Sequence, residues 1–211
     1  MTTGPRVVIA DAQQLMAEAL EKLLDVEFAV VGHASDGHAL LEIVQDRHPD
    51  VAVIDVALPL LNGLDAGSQA KRIDRSLKIV IVTSNEDPDL AAQAIRACAS
   101  GFLLKRCAGC ELIRAIREVL QHRTYVTPLI TEGMVNSLIR SSGGDGLMNE
   151  LTSRQRQVLQ LLAEGKSMKQ AGSVLGITAR TVAFHKYRMM QQLHVTTSAE
   201  LIRVAFKRQL A

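Results

Sequence analysis

Up to about residue 122, short apolar runs alternate with longer stretches of helical spacing. The runs at 7–10, 29–32, 51–55, 79–83 and 101–104 are rich in β-branched residues and lack polar alternation, which predicts strands buried on both faces. Between them, Leu15, Ala19, Leu20, Leu23 and Leu24 line one helical face, and Leu112, Ile113, Ile116, Val119 and Leu120 another. Five strand–helix units with short connections predict a doubly wound parallel sheet covered by helices, a flavodoxin-like α/β domain over residues 1–123.

Beyond Arg123 the pattern changes. Pro128 is followed by helical spacing over 130–140, and then by Ser141-Ser-Gly-Gly-Asp-Gly146, a composition that suits a flexible connector. Residues 124–148 are therefore expected to be a linker with a short helix. From 149 to 211 the signal is all helical: Thr152, Ser167 and Thr178 are candidate N-caps, Gly165 and Gly176 candidate stops, and Ser198 opens a fourth helix. A four-helix second domain is predicted there.

Charge sharpens this division. The whole chain carries 24 Lys+Arg against 22 Asp+Glu, a balance of only +2. Residues 151–211 hold 10 of the bases and 2 of the acids (Glu164 and Glu200), a balance of +8, which leaves −6 for residues 1–150. A basic module joined to an acidic one fits a polyanion-binding domain beside a domain that does not bind. A solvated basic surface without a partner is the plain alternative.

Other signals exclude more than they suggest. No apolar run approaches the roughly 20 residues of a membrane span, and the N-terminal residues lack the basic start and apolar stretch of a secretory signal. A cytoplasmic protein with no membrane partner is expected. Cys107-Ala-Gly-Cys110 has C-x-x-C spacing, but no second ligand pair follows, so ordinary thiols are expected rather than zinc or redox chemistry.

In open parallel sheets, function gathers at the carboxyl ends of the strands. Those ends carry Asp11, Asp55, Thr83 and Lys105. Two carboxylates, a hydroxyl and an ammonium suit Mg²⁺-assisted phosphoryl transfer to an aspartate: one carboxylate attacks, acid oxygens hold the metal, and hydroxyl and lysine receive the phosphoryl oxygens. Each polar residue could instead simply end its strand.

Residues 6–122 resemble the response-regulator receiver domain. Asp55-Val-Ala-Leu-Pro59-Leu-Leu-Asn-Gly63 matches its phosphorylation loop, Thr83-Ser84 its switch hydroxyl position, and Gly101-Phe-Leu-Leu-Lys105 its last strand. The resemblance implies Asp55 as phosphoacceptor, Thr83 and Lys105 as its partners, Thr83 and Phe102 as switch residues, and Asp11, Asp55 and the Ala57 carbonyl as Mg²⁺ ligands. The family usually has two adjacent acids after the first strand, and here Ala12 stands in the second position. Alanine offers no oxygen, so the expected metal site loses one hard ligand and one negative charge. Two readings follow: Asp55 accepts phosphate with weakened Mg²⁺ binding, or the receiver is degenerate and only dimerises or senses another signal.

Residues 149–211 are similar to the LuxR-type DNA-binding domain, through Leu151-Thr-Ser-Arg-Gln-Arg-Gln-Val-Leu159, Gly165-Lys-Ser, Thr181-Val182, His185, Leu193-His-Val195 and Ala199-Glu-Leu201. The pair of resemblances makes the chain look like a NarL/FixJ-type response regulator. A helix fits the major groove and Lys/Arg neutralise phosphates. The third helix carries Arg180, and by correspondence its Ala183, Phe184 and Tyr187 sit where groove-facing residues lie; Lys169, Thr181, Lys186 and Arg188 are candidate phosphate contacts. Gln155, Gly172 and Ala183 depart from the usual pattern; Gly172 is expected to loosen the second helix, and partial burial is an alternative for Phe184.

The implied partners are double-stranded promoter DNA, a sensor histidine kinase and a second copy, paired through the helix at 200–211 on half-sites about one helical turn apart. The implied switch has the unmodified receiver covering or misplacing the recognition helix. Alternatives of other classes are a phosphatase-like enzyme, which would lack an evident general base, and an interaction module with a decayed helix-turn-helix. On this reading the chain is not an enzyme.

Overall fold

In a computed structural model, residues 4–141 and 151–207 are described. The expected strands form at β1 (Arg6–Ala10), β2 (Ala29–Ala34), β3 (Val51–Asp55), β4 (Lys78–Thr83) and β5 (Gly101–Leu104). All pair in parallel in the order β2-β1-β3-β4-β5, the flavodoxin-like arrangement. Its switch point lies between β1 and β3, so the loops after these two strands open onto one crevice. β3 is buried throughout, as its uninterrupted Val-Ala-Val-Ile requires, whereas edge strand β2 is largely half-exposed.

Five helices cover the two faces: α1 (Gln14–Leu24), α2 (Gly37–Arg47), α3 (Gly63–Ile73), α4 (Pro88–Ala97) and α5 (Gly109–Leu120). Two apolar layers result. One packs α2, α3 and α4 residues such as Leu40, Ala66 and Ala91 on Ile54, Ile81 and Phe102, and the other packs Leu24 and Ile116 on Val7, Val53 and Val82. Alternate residues of each strand serve opposite layers, as the period of two demands.

The stretch expected to be a linker is, in its described part, built onto this body. Residues Tyr125–Val126 form β6, a two-residue sixth strand parallel to β5. Pro128 then opens α6 (Pro128–Ser141), which lies against α4 and places Ile130 and Met134 in the core of the α2–α4 layer. Thr127 ties this segment down: its amide donates to the Phe102 carbonyl (3.0 Å) and its hydroxyl to Glu111 (3.0 Å). The sheet therefore has six strands rather than five. The Gly/Ser connector lies outside the described residues, apart from Ser141 at the end of α6.

The second unit holds α7 (Ser153–Ala163), α8 (Met168–Leu175), α9 (Ala179–Gln192) and α10 (Ser198–Lys207). Thr152, Ser167 and Thr178 cap α7, α8 and α9 as expected, the first two in reciprocal capping boxes with Gln155 and Gln170. Gly176 ends α8 in the left-handed conformation at φ 64°. Val158, Leu161, Ala171, Val182, Met189, Leu201 and Ala205 close a small core. No helix among the described residues is long and apolar enough to cross a membrane.

Candidate acidic pocket and nucleic-acid interface

Asp11 follows β1, while Asp55, Thr83 and Leu104 end β3, β4 and β5, so parallel pairing brings their loops together at one edge. Asp11, Asp55 and Thr83 are buried, and Lys105 reaches in from the residue after β5. Its ammonium donates to Asp11 Oδ2 and Asp55 Oδ2, each at 2.7 Å. Burial opposes that charge, but hydrogen bonds to both carboxylates outweigh it and hold the lysine above its ordinary pKa. The remaining carboxylate oxygens accept backbone amides: Gln13 N–H donates to Asp11 (2.8 Å) and Ala57 N–H to Asp55 (3.3 Å). Thr83 Oγ1 accepts from the Asn85 amide at 3.1 Å. Phe102 lies fully buried on β5.

Gly63 sets the shape of the loop after Asp55. Its amide donates to the Val56 carbonyl at 2.9 Å, and a Cβ there would come within 2.0 Å of the Asp55 carbonyl oxygen. Only glycine allows so close a return of the chain.

The donor set for a hard cation is two carboxylates, Asp11 and Asp55, with the Ala57 carbonyl in the same loop. Ala12 is exposed and offers nothing. Mg²⁺ is commonly held by one or two carboxylates, its other positions filled by water and phosphate. These residues fit such an ion at a reduced ligand count, in competition with the Lys105 ammonium that engages one oxygen of each acid. Of the cysteines, Cys107 is pushed up to about 11, by burial first and then by Glu111, and burial raises Cys98 likewise.

The second unit presents a different surface. On α9, Val182 and Met189 are fully buried, while Arg180, Phe184, Tyr187 and Arg188 fall on the opposite side and are exposed. Phe184 is 58% and Tyr187 62% exposed, although the chain has only six aromatics. Phe184 is therefore not a core residue, and more than half of it is exposed where partial burial was the alternative. Ala183 and Thr181 are half-buried at the margins, Thr181 sharing a hydroxyl–hydroxyl bond with the cap Thr178 at 2.9 Å. Lys186 starts nearer the core side but carries its ammonium over the Tyr187 ring at 5.7 Å. Lys169 is exposed on α8. The arrangement is a helix with two aromatics between two arginines about two turns apart, on a unit of strong positive balance.

Two departures from the usual sequence pattern have structural reasons. Gln155 is buried, bonds the Thr152 amide (2.8 Å) and donates to Gln192 at 2.7 Å, fastening α7 to the end of α9. At Gly172 the reason is close packing: the Ile177 amide donates to its carbonyl at 2.9 Å, and a Cβ would lie 2.7 Å from the Ile177 oxygen. Gly172→Ala is thus expected to lower stability, because overpacking costs about 1–3 kcal/mol against a helix-propensity gain of about 1 kcal/mol. Thermal unfolding checks this, and a stabilised variant would contradict it.

The two units touch, as the expected switch implies, but at residues that the sequence pattern did not single out. α7 rests on the loop that follows Asp55: Gln160 bonds Leu58 and Asn62, Glu164 bonds the Leu60 amide, and Arg156 pairs with Asp65. Of the two expected arrangements, covering is not what the structure has, since contact runs through α7 while Arg180, Phe184, Tyr187 and Arg188 on α9 are exposed; a recognition helix held out of place is compatible with that contact.

Known proteins agree with both halves. The response regulator receiver domain model matches residues 7–117, and that of the bacterial regulatory proteins of the luxR family matches residues 149–205. The chain is 30% identical to the oxygen regulatory protein NreC of Staphylococcus carnosus over 97% of this chain and 98% of that protein. It is 32% identical to the transcriptional regulatory protein DesR of Bacillus subtilis, over 93% and 94%. Among solved structures, the fold matches RcsB of Salmonella enterica serovar Typhimurium bound to promoter rprA in the presence of the phosphomimetic BeF3−, with a TM-score of 0.65 at 24% identity over 95% of this chain and 98% of that one.

Proposed function

The chain belongs to the two-component response regulators that join a receiver to a LuxR-type DNA-binding domain, and from that premise we propose that chemistry at Asp55 controls how α9 engages promoter DNA. It is a transcription regulator, not an enzyme, as its relatives are. The observation that carries the proposal is the Lys105 ammonium bridging Asp11 and Asp55 at 2.7 Å in a buried pocket.

In the proposed step an Asp55 carboxylate oxygen attacks the phosphorus of a phosphohistidine on a sensor kinase. The P–N bond breaks, the histidine leaves, and an acyl phosphate remains on Asp55. Mg²⁺, held by Asp11, Asp55 and the Ala57 carbonyl, would neutralise charge on the phosphoryl group. Lys105 holds both acids in place beforehand and turns to a phosphoryl oxygen afterwards. The Thr83 hydroxyl stands at the adjacent strand end to accept or donate there, and Phe102 fills the space beneath the same edge.

On the DNA side, Arg180, Lys186, Arg188 and Lys169 neutralise phosphates, with Thr181 as a neutral contact, while Ala183, Phe184 and Tyr187 face the base edges. A pair of chains on DNA, meeting through the helix that begins near Glu200, would place two such helices on successive half-sites. The second reading, a receiver that works without phosphorylation, is favoured by one observation: Ala12 contributes no oxygen, and Lys105 already satisfies both acids.

Intact mass after incubation with a small phosphodonor and Mg²⁺ separates the two. Outer-shell changes alone alter metal affinity by about 10- to 100-fold, so Ala12→Asp is expected to speed modification at least about tenfold over wild type, with Asp55→Asn inert. Wild type left unmodified under conditions that fully modify Ala12→Asp would overturn the phosphoacceptor reading.

A further inference from the structure

We propose that helix α7 of the DNA-binding domain is a positioning element for the phosphorylation loop of the receiver, with Gln160 and Arg156 as the residues that hold it. The proposal rests on the reading of 56–63 as that loop, though not on Asp55 being modified.

Gln160 is 1% exposed. An amide buried that deeply must have partners for both its ends, and it finds them on the other domain. Its Nε2 donates to the Leu58 carbonyl (2.7 Å), and its Oε1 accepts the Asn62 amide (2.8 Å). The side-chain amide thus stands where a neighbouring peptide group would stand in a sheet, bridging the two ends of a five-residue turn. At the tip of that turn Leu60 adopts φ 65°, a left-handed conformation that a branched side chain rarely takes. Its amide is held by Glu164 at 3.1 Å, and its side chain packs against the apolar core of the DNA-binding domain. Gln160 also donates to Glu164 (2.9 Å), which fixes the carboxylate that receives Leu60.

A second clamp lies one turn back on α7. Arg156 forms a forked pair with Asp65, at 2.7 and 3.3 Å, and Asp65 is 4% exposed. Asp65 also accepts from the Asn62 side-chain amide (3.0 Å), and Asn62 caps α3. The fork therefore grips the start of α3 through the residue that caps it. Between them the two clamps reach both sides of the loop whose first residue after Asp55 is Val56 and whose return at Gly63 touches the Asp55 carbonyl.

Coupling of this kind is reciprocal. A DNA-binding domain that holds the loop in one shape is itself released when the loop changes shape, while α9 remains accessible throughout. Control is then exerted through where α7 is held rather than by hiding the recognition helix.

The test is amide hydrogen exchange on the full chain, comparing wild type with Gln160→Met and Arg156→Met. Methionine keeps the bulk of the side chain and removes its hydrogen bonds. Exchange at the Leu60 and Asn62 amides is expected to quicken at least tenfold in Gln160→Met, with β1, β3 and α9 protected as in wild type. Arg156→Met is expected to quicken the Asn62–Asp65 segment, and a paired Asp65→Asn change to add little further. Unchanged exchange across 58–65 in both variants overturns the proposal. Faster exchange in variants whose Asp55 still takes no phosphate supports the positioning role and counts against the phosphoacceptor reading instead.

Discussion

Replacing Lys105 by methionine is expected to destabilise the receiver by about 3 kcal/mol, because it leaves two buried carboxylates without their shared cation. Methionine keeps the aliphatic stem, so the loss measures the charge rather than the packing. The sign of the pH dependence follows from the direction of the lysine's shift. Its pKa in the folded chain lies above the ordinary lysine value, so its contribution is complete at neutral pH and is lost only as pH climbs through the alkaline lysine range. Between pH 6 and 9 the difference from wild type should therefore stay flat. Urea unfolding across that range checks this, and a variant as stable as wild type at pH 7 would show that the bridge contributes nothing.

The second large effect concerns DNA. Arg180 and Arg188 are exposed on the same side of α9 as Phe184 and Tyr187. If both meet phosphates, the double change Arg180→Gln, Arg188→Gln should reduce the slope of log affinity against log salt by about 2, and lower affinity near 0.1 M salt by about fifty-fold. Binding should weaken for every sequence alike, since phosphate contacts position rather than specify. Lys22→Gln, on the exposed side of receiver helix α1, should leave the slope unchanged. Fluorescence anisotropy over a salt series reads both quantities. Equal slopes for the wild type and the double variant would take these arginines out of the interface.

Most of the fold was legible because its signals are local. Buried parallel strands read as unbroken β-branched runs, and caps such as Thr152, Ser167 and Thr178 announce themselves by residue type and spacing. The acidic pocket was legible for a related reason: parallel pairing turns strand ends into one place, so Asp11, Asp55, Thr83 and Lys105 could be listed together before their distances were known. β6 was not legible, since two residues carry no period, and the helical spacing read from 130 onward begins two residues after the Pro128 that opens α6.

What the sequence hid was pairing across distance. Gln160 lies between Leu159 and Leu161 on a helix and looks like an ordinary polar position, yet it is as buried as its neighbours. The signal that could have exposed it is the run of glutamines at 155, 157 and 160, polar groups too frequent on a core-facing helix to be all solvated. Gly172 was misread for a different reason: propensity describes the helix alone, while the Ile177 carbonyl approaches from the turn that follows α8. Phe184 and Tyr187 mark the opposite case, large aromatics that the fold leaves exposed and that the proposed DNA interface would cover.

In the proposed function a pocket at Asp55 governs a basic recognition helix that reads duplex DNA. Genome-wide capture of bound DNA, run in parallel with the intact chain and with Asp55→Asn, decides whether it does. A discrete set of promoter fragments whose occupancy differs between the two proteins is the predicted result. Two folded proteins that enrich no fragment, or that enrich the same fragments equally, would contradict it.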